Sequence, residues 1–261
     1  MVSEPAPSVA GMEIGNRVAI VTGAGAGTGR LIAERLAALG ATVVVADVNG
    51  ANAEQVGRDL VERGGHAVAV QADLLDDAGR SAIMSCGESL GGPHVLVNNA
   101  GGWGDAAHQY PEASPPQWRA VLELNLGAPM ALTQLCLPPM ARRGGGAVVN
   151  ISSSAGVEHT GYSSPEYAVA TAGLVRFTTS LADLTATHGV RVNCVVPHWV
   201  GLDRAHAELA AMPAERRAAA PPLIPPATVV SAVVDLLVDE TMSGRVVVLE
   251  GGRQPRLLEA T

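Results

Sequence analysis

Apolar and polar positions fall in blocks along the chain, and the blocks alternate between two periods. "RVAIVTGAG", Arg17 to Gly25, is a short β-branched run ending in glycines. That composition predicts a buried strand and a turn. "RLIAERLAALG" follows with helical spacing and a glycine stop,. "ATVVVADVN" reads as a strand, "ANAEQVGRDLVERGG" as a helix, "HAVAVQADL" as a strand and "DAGRSAIMSCGESLG" as a weaker helix. "HVLVNNAGG" and "GGAVVNISS" are strands flanking a long helical stretch at about 116–141, with Pro129 as its expected adjustment point,. A second long helix is expected at 165–188, followed by the strand "VRVNCVVP". The helix "ATVVSAVVDLLVD" and a seventh strand, "GRVVVLEGG", close the pattern.

Strands that are apolar throughout, alternating with helices, predict a doubly wound α/β domain: a parallel sheet covered on both faces. One domain is expected over 14–261, preceded by a flexible tail at 1–13. The Ala-, Pro- and charge-rich segment at about 202–226 is expected to be a mobile, lid-like excursion. In such sheets ligands bind at the carboxyl ends of the strands.

Composition narrows the function. Hydrophobic residues make up 48% of the chain, so disorder is not expected, and no apolar run is read as reaching the ~18–20 residues of a membrane span,. The net charge of −8, without a basic stripe, argues against nucleic acid,. Cys86, Cys136 and Cys194 are far apart and unpaired in spacing, which suggests a reducing, cytoplasmic location; no metal site is expected,. All 17 basic residues are arginine, so the chain contains no lysine.

The first glycine cluster, "TGAGAGTGR", sets Gly23, Gly27 and Gly29 between a strand and a helix. Glycines there let the backbone approach a pyrophosphate held at the helix N-terminus. Asp47 ends the second strand, 18 residues after Gly29. A carboxylate in that place accepts from ribose hydroxyls and repels the extra phosphate of NADP, so NAD is the expected cofactor. Tyr167, in "YAVATAGL", suggests proton transfer beside such a cofactor, and Thr171 sits one helical turn further on, where a positive neighbour would help most,.

Together "TGAGAGTG", "NNAG" at 98–101, "NISSS" at 150–154 and the Tyr167 helix make the chain resemble the short-chain dehydrogenase/reductase family, over about 14–252. The resemblance implies a Rossmann-like sheet of seven parallel strands, a small-molecule substrate, and a homotetramer or homodimer built on the two long helices. It makes Gly23, Gly27, Thr28 and Gly29 the pyrophosphate loop and sets Asp73 and Leu74 beside the adenine. Asn98, Asn99, Ala100 and Gly101 would lie along the cofactor and brace the sheet, and Pro197, His198 and Val200 would face the nicotinamide. Asn125 would hold a water in a proton relay, Ser153 would hold the substrate carbonyl, and Tyr167 would be the general acid/base. The 14-residue step from Ser153 to Tyr167 is one longer than the family's usual spacing, which leaves Ser154 as the alternative.

Three positions depart from the family pattern. Thr171 stands where the family has lysine, His198 where it has glycine after proline, and Leu202 where it has a threonine that touches the nicotinamide amide. A lysine charge at about 4 Å is worth up to ~4 kcal/mol toward a phenolate at an effective dielectric of about 20. Thr171 can supply a ribose hydrogen bond but no charge.

Three readings stand. The first is an NAD-linked oxidoreductase interconverting an alcohol and a carbonyl. The second is a non-redox or internal-redox relative performing elimination, epimerisation or cyclisation, with Glu158, His159, Tyr162 or His198 as acid or base. The third is a catalytically silent NAD-binding protein. Trp103, Tyr162 and Trp199 in a chain with only 3% aromatics point to a ring-bearing or apolar substrate.

Overall fold

The structure is a computed structural model and describes residues 12–104, 108–159 and 161–258. The tail expected at 1–13 therefore lies, up to residue 11, outside the described residues. Met12 is already attached, its amide donating to Val238 O at 3.1 Å.

Seven strands run parallel: β1 (Val18–Thr22), β2 (Thr42–Asp47), β3 (His66–Gln71), β4 (Val95–Asn98), β5 (Gly146–Ile151), β6 (Val190–Pro197) and β7 (Val246–Leu249). An eighth, β8 (Arg256–Leu257), adds to β7 in the antiparallel sense. The order is β3-β2-β1-β4-β5-β6-β7-β8. The Rossmann-like expectation holds. The two-residue β8 is an addition, since "RL" is too short to show a strand period.

The strands read as unbroken apolar runs because both faces are covered. Ala19, Val21, Val43, Val45, Val97 and Val149 face one layer, formed by α1 (Gly27–Ala38), α2 (Gly50–Glu62) and α10 (Pro226–Val238). Their alternating neighbours Ile20, Val44, Ala46, Leu96 and Val148 face the other, packing with Ile83 and Met84 of α3 (Asp77–Ser89) and Leu132, Cys136 and Met140 of α5 (Ala128–Arg142). Side chains alternate across a strand, so a strand buried on both sides is apolar on both faces except where a polar side chain such as Asn98 or Asn150 finds a buried hydrogen-bond partner,.

The stretch expected as one helix at 116–141 comprises α4 (Pro115–Leu122), a π turn at Glu123–Gly127, and α5. The adjustment falls just before Pro129, which is buried in the first turn of α5 where a missing N–H costs little,. As a whole, Pro115–Arg142 is one helix long and apolar enough to cross a membrane by length and composition, a correction to the sequence expectation. In this fold its buried residues pack into the sheet's helical layer. The second long helix divides into α6 (Pro165–Ser180) and α7 (Leu184–His188). The excursion at 202–226 contains α8 (Asp203–Ala211) and α9 (Ala214–Ala219), and its far end is tied down by a Val200–Ile224 bridge with Ile224 buried.

Candidate active site

Two ends of one cleft, about 970 Å³ in volume, lie over the carboxyl ends of the strands. At one end is the β1–α1 turn. Gly23 has φ of +63°, and a Cβ there would come 2.9 Å from Ala100 Cα; one on Gly29 would come 2.2 Å from Gly23 O. Only glycine packs this turn so tightly. Asn99 locks it, its Nδ2 donating to Thr22 O at 3.0 Å and Gly23 O at 3.3 Å. The amides of Asn99 and Ala100 both donate to Thr22 Oγ1.

Helix α1 has no side-chain cap, whereas α2 and α3 are capped by Asn49 and Asp76. A helix start left open behind a glycine turn is a ready anion site. Asp47 Oδ2 accepts from the Gly25 amide at 2.8 Å and Oδ1 from Asn49 at 2.9 Å. Each oxygen keeps a further lone pair for a ribose hydroxyl. Asp73 holds the next turn by accepting from Leu75, and Leu74 is buried. The features present fit a dinucleotide: an open helix start, a tight glycine turn and a carboxylate at the end of β2.

At the other end stands Tyr167, three residues into α6. Its hydroxyl lies beside Ser153, and both side chains line the cleft. Ser153 lies in extended backbone after β5, while Ser154 begins a 3-10 turn. Ser152 is turned inward, donating to Thr171 O at 2.9 Å and so pinning α6 to the strand end. The ring of Tyr162 stacks on Tyr167 at 6.1 Å, and Trp103 meets it edge-on at 6.1 Å. Burial raises the Tyr167 hydroxyl above its ordinary value; the Ser153 bond and the Arg204 charge oppose the rise, and Tyr162 adds to it.

The other expected residues are placed as follows. Asn125 sits in the π turn, and its carboxamide is engaged by the main chain. Nδ2 donates to Gly102 O at 2.7 Å and Val121 O at 2.8 Å, and Oδ1 accepts from Gly102 N at 2.9 Å. A Cβ on Gly101 would strike that Oδ1 at 2.6 Å, so the loop and the π turn are fitted to each other. Asn98 is buried beneath the cleft rather than along it, bonded to Asn150 Oδ1 at 2.8 Å. Pro197, His198, Val200 and Thr28 line the cleft, and Leu202 packs near Gly27.

One expectation needs correction. Thr171 does not line the cleft. It is 2% exposed, and its hydroxyl donates to Tyr167 O at 2.8 Å and Ala168 O at 3.1 Å. Back-bonding to the preceding turn is a common fate of threonine within helices. The expected ribose hydrogen bond is therefore not donated from this conformation. Ser164 occupies the cap position of α6 but makes no cap bond; its buried Oγ has no partner among the described residues. Pro165, at the first helical position, sets the helix start instead,.

Three relationships are not visible in the sequence. His198 Nδ1 lies 3.3 Å from Glu158 Oε1. Glu166, buried in the first turn of α6, accepts from the Tyr110 amide at 3.3 Å and so holds the loop after β4 over the site. The Arg204 guanidinium lies 4.1 Å from the centre of the Trp103 ring. All three join segments far apart in the chain, and no spacing signals them.

Residues 17–212 match the family model described as short chain dehydrogenase. The chain is 35% identical over 187 residues to the 7alpha-hydroxysteroid dehydrogenase of Escherichia coli K12, covering 71% of this chain and 72% of that protein. It is 36% identical over 209 residues to the cis-4-hydroxycyclohexanecarboxylate dehydrogenase of Sinomonas cyclohexanicum, covering 80% and 81%. A solved structure of a 7 alpha-hydroxysteroid dehydrogenase, complexed with NADH and 7-oxo glycochenodeoxycholic acid, superposes with a TM-score of 0.83 at 29% identity, covering 92% and 95%. The chain belongs to the short-chain dehydrogenase family. The relatives named are dehydrogenases, and an oxidoreductase acting on an alcohol/carbonyl pair is what the chain shares with them.

Proposed function

We propose that this protein is an NAD-linked oxidoreductase that interconverts an alcohol and a carbonyl on a small, ring-bearing molecule. The observation that carries the reading is Tyr167 beside Ser153 in the same cleft that Thr28 lines at the open α1 helix start, with the Asp47 carboxylate accepting from the Gly25 amide in the turn before that helix. When bound, the nicotinamide supplies or accepts the hydride. Ser153 holds the substrate oxygen, and Tyr167 gives that oxygen its proton during reduction or removes it during oxidation. Trp103 and Tyr162 flank the tyrosine and favour a flat or cyclic substrate body; both named relatives act on alicyclic alcohols. The site is atypical in that no lysine stands beside Tyr167, which biases it toward reduction, because a neutral phenol donates a proton more readily than it takes one.

The test is coenzyme turnover with cyclic ketones and alcohols. NADH consumption that vanishes in Tyr167→Phe supports the reading, and its absence across a panel of cyclic substrates refutes it. A second reading, proton transfer without net redox change, draws support from the Glu158–His198 contact at 3.3 Å. A carboxylate on one imidazole nitrogen orients the other for acid–base work. Product formation at constant NADH would mark it. A cytoplasmic setting fits three free thiols; burial pushes Cys136 and Cys194 up to about 12.

A further inference from the structure

Arg204 is the one arginine lining the cleft among the described residues, and its setting is specific. The guanidinium lies over the Trp103 ring at 4.1 Å, and the Trp103 ring lies 6.1 Å from that of Tyr167. Those two spacings together bound the Arg204–Tyr167 separation at about 10 Å, short enough for one small molecule to touch both. Glu208 engages only the inner nitrogen, Nε, at 3.2 Å. Among the described residues the two terminal nitrogens have no acceptor. A guanidinium set over an indole still presents an outer edge, and that edge matches a carboxylate with two parallel hydrogen bonds.

We propose that Arg204, stacked on Trp103 at the mouth of the cleft, recognises a carboxylate on the substrate. The substrate class is then a cyclic hydroxy or oxo acid, its reacting carbon at Ser153 and Tyr167 and its carboxylate at Arg204. The aromatic walls cover the ring between these two anchors. The other charged residues lining the cleft set the balance. Glu208 competes for Arg204 through Nε, and Glu112 and Glu208 disfavour an acid bound anywhere but on the guanidinium. The Arg204 side chain is 65% exposed, so the substrate acid meets it at the entrance rather than in the interior.

This inference rests on the oxidoreductase reading for the position of the carbonyl, and binding without turnover separates the two. Calorimetry would compare 4-oxocyclohexanecarboxylate with its methyl ester, each added to the protein saturated with oxidised NAD, a pairing in which no hydride can move. The acid is expected to bind about ten- to a hundredfold more tightly than the ester, the range for a hydrogen-bonded charge pair. Arg204→Gln should make the two affinities converge. Glu208→Gln should widen the gap, since it removes a competing negative charge beside the guanidinium, and a merely structural role for Arg204 would not produce that change. Equal binding of acid and ester by the unaltered protein, or a preference that survives Arg204→Gln, overturns the inference. A preserved acid preference without turnover refutes the redox reading alone.

Discussion

The hydroxyl of Thr171 donates to the carbonyl of Tyr167 at 2.8 Å, so the residue one turn beyond the tyrosine bonds its own helix rather than the cleft. A lysine at this position would have to run its stem along α6 to reach the cleft. Thr171→Lys is expected to raise alcohol oxidation at neutral pH by about ten- to a thousandfold, toward the ~10²–10⁴ ascribed to acid–base catalysis. Carbonyl reduction should gain less, because neutral tyrosine already donates. Steady-state rates in both directions check this; unchanged or lowered oxidation would show that the site is built to work without that charge.

The pH profile should carry the same signature. Burial holds Tyr167 above the ordinary tyrosine value of ~10, so its phenolate is scarce at neutral pH,. Oxidation should rise about tenfold per pH unit through the neutral and mildly alkaline range, while reduction stays flat. The unfolded chain releases this proton first, so the contribution of the buried phenol to stability is present below ~10 and is lost as pH climbs through the folded value. Rate–pH curves in the two directions distinguish this from a histidine-controlled profile, which would break near ~6.5.

Coenzyme choice should depend on Asp47. Its two oxygens are oriented by the Gly25 and Asn49 amides, and their negative charge repels a phosphate dianion,. NADH should bind at least about tenfold more tightly than NADPH, a gap of roughly 1.4 kcal/mol. Asp47→Ala should narrow it. Calorimetric titration of both coenzymes is the measurement, and equal affinities would remove Asp47 from this role.

A buried amide chain should matter for stability. Asn150, fully buried, accepts from Asn98 at 2.8 Å and donates to Thr178 Oγ1 at 2.9 Å, tying β4, β5 and α6 together beneath the site. Asn150→Ala leaves Asn98 Nδ2 with only its longer contacts to Thr133 Oγ1 at 3.3 Å and Pro129 O at 3.5 Å, takes a donor from Thr178 Oγ1, and should cost about 1–3 kcal/mol,. Denaturant unfolding would read it.

Apolar residues remain exposed on the two long helices, with Met130 at 42%, Leu135 at 44% and Val169 at 63%. Covering them in a homodimer or homotetramer is the expected outcome. Light scattering showing a monomer at micromolar concentration would count against it.

Much of the fold was legible because strands buried on both faces are written as continuous apolar runs, and the glycine turn, Asp47 and the Tyr167 helix have local signatures. The π turn was not legible. It differs from an α-helix by one residue in a stretch whose apolar spacing is otherwise continuous, and Pro129, the visible breaker, lies just after it. The inward bond of Thr171 was equally hidden, since threonine has the same letter whether its hydroxyl faces a cleft or its own backbone. Arg204 over Trp103 and Glu158 on His198 are contacts between loops, fixed by the path of the chain and not by any period.

The turn at Glu123–Gly127 also makes this helix unusually intolerant of a change in chain length. A π turn holds one residue more than an α turn, and one residue is worth roughly 100° of rotation about the helix axis. Removing any single residue from the five would restore a regular helix and swing one half of Pro115–Arg142 by that angle relative to the other. Asn125 would then leave Gly102, and the exposed apolar stripe carrying Met130 and Leu135 would fall out of phase with α4. Substitutions along this helix are local events, whereas a one-codon deletion within it would disturb the loop at Gly101 and Gly102 and the outer helix surface in a single step.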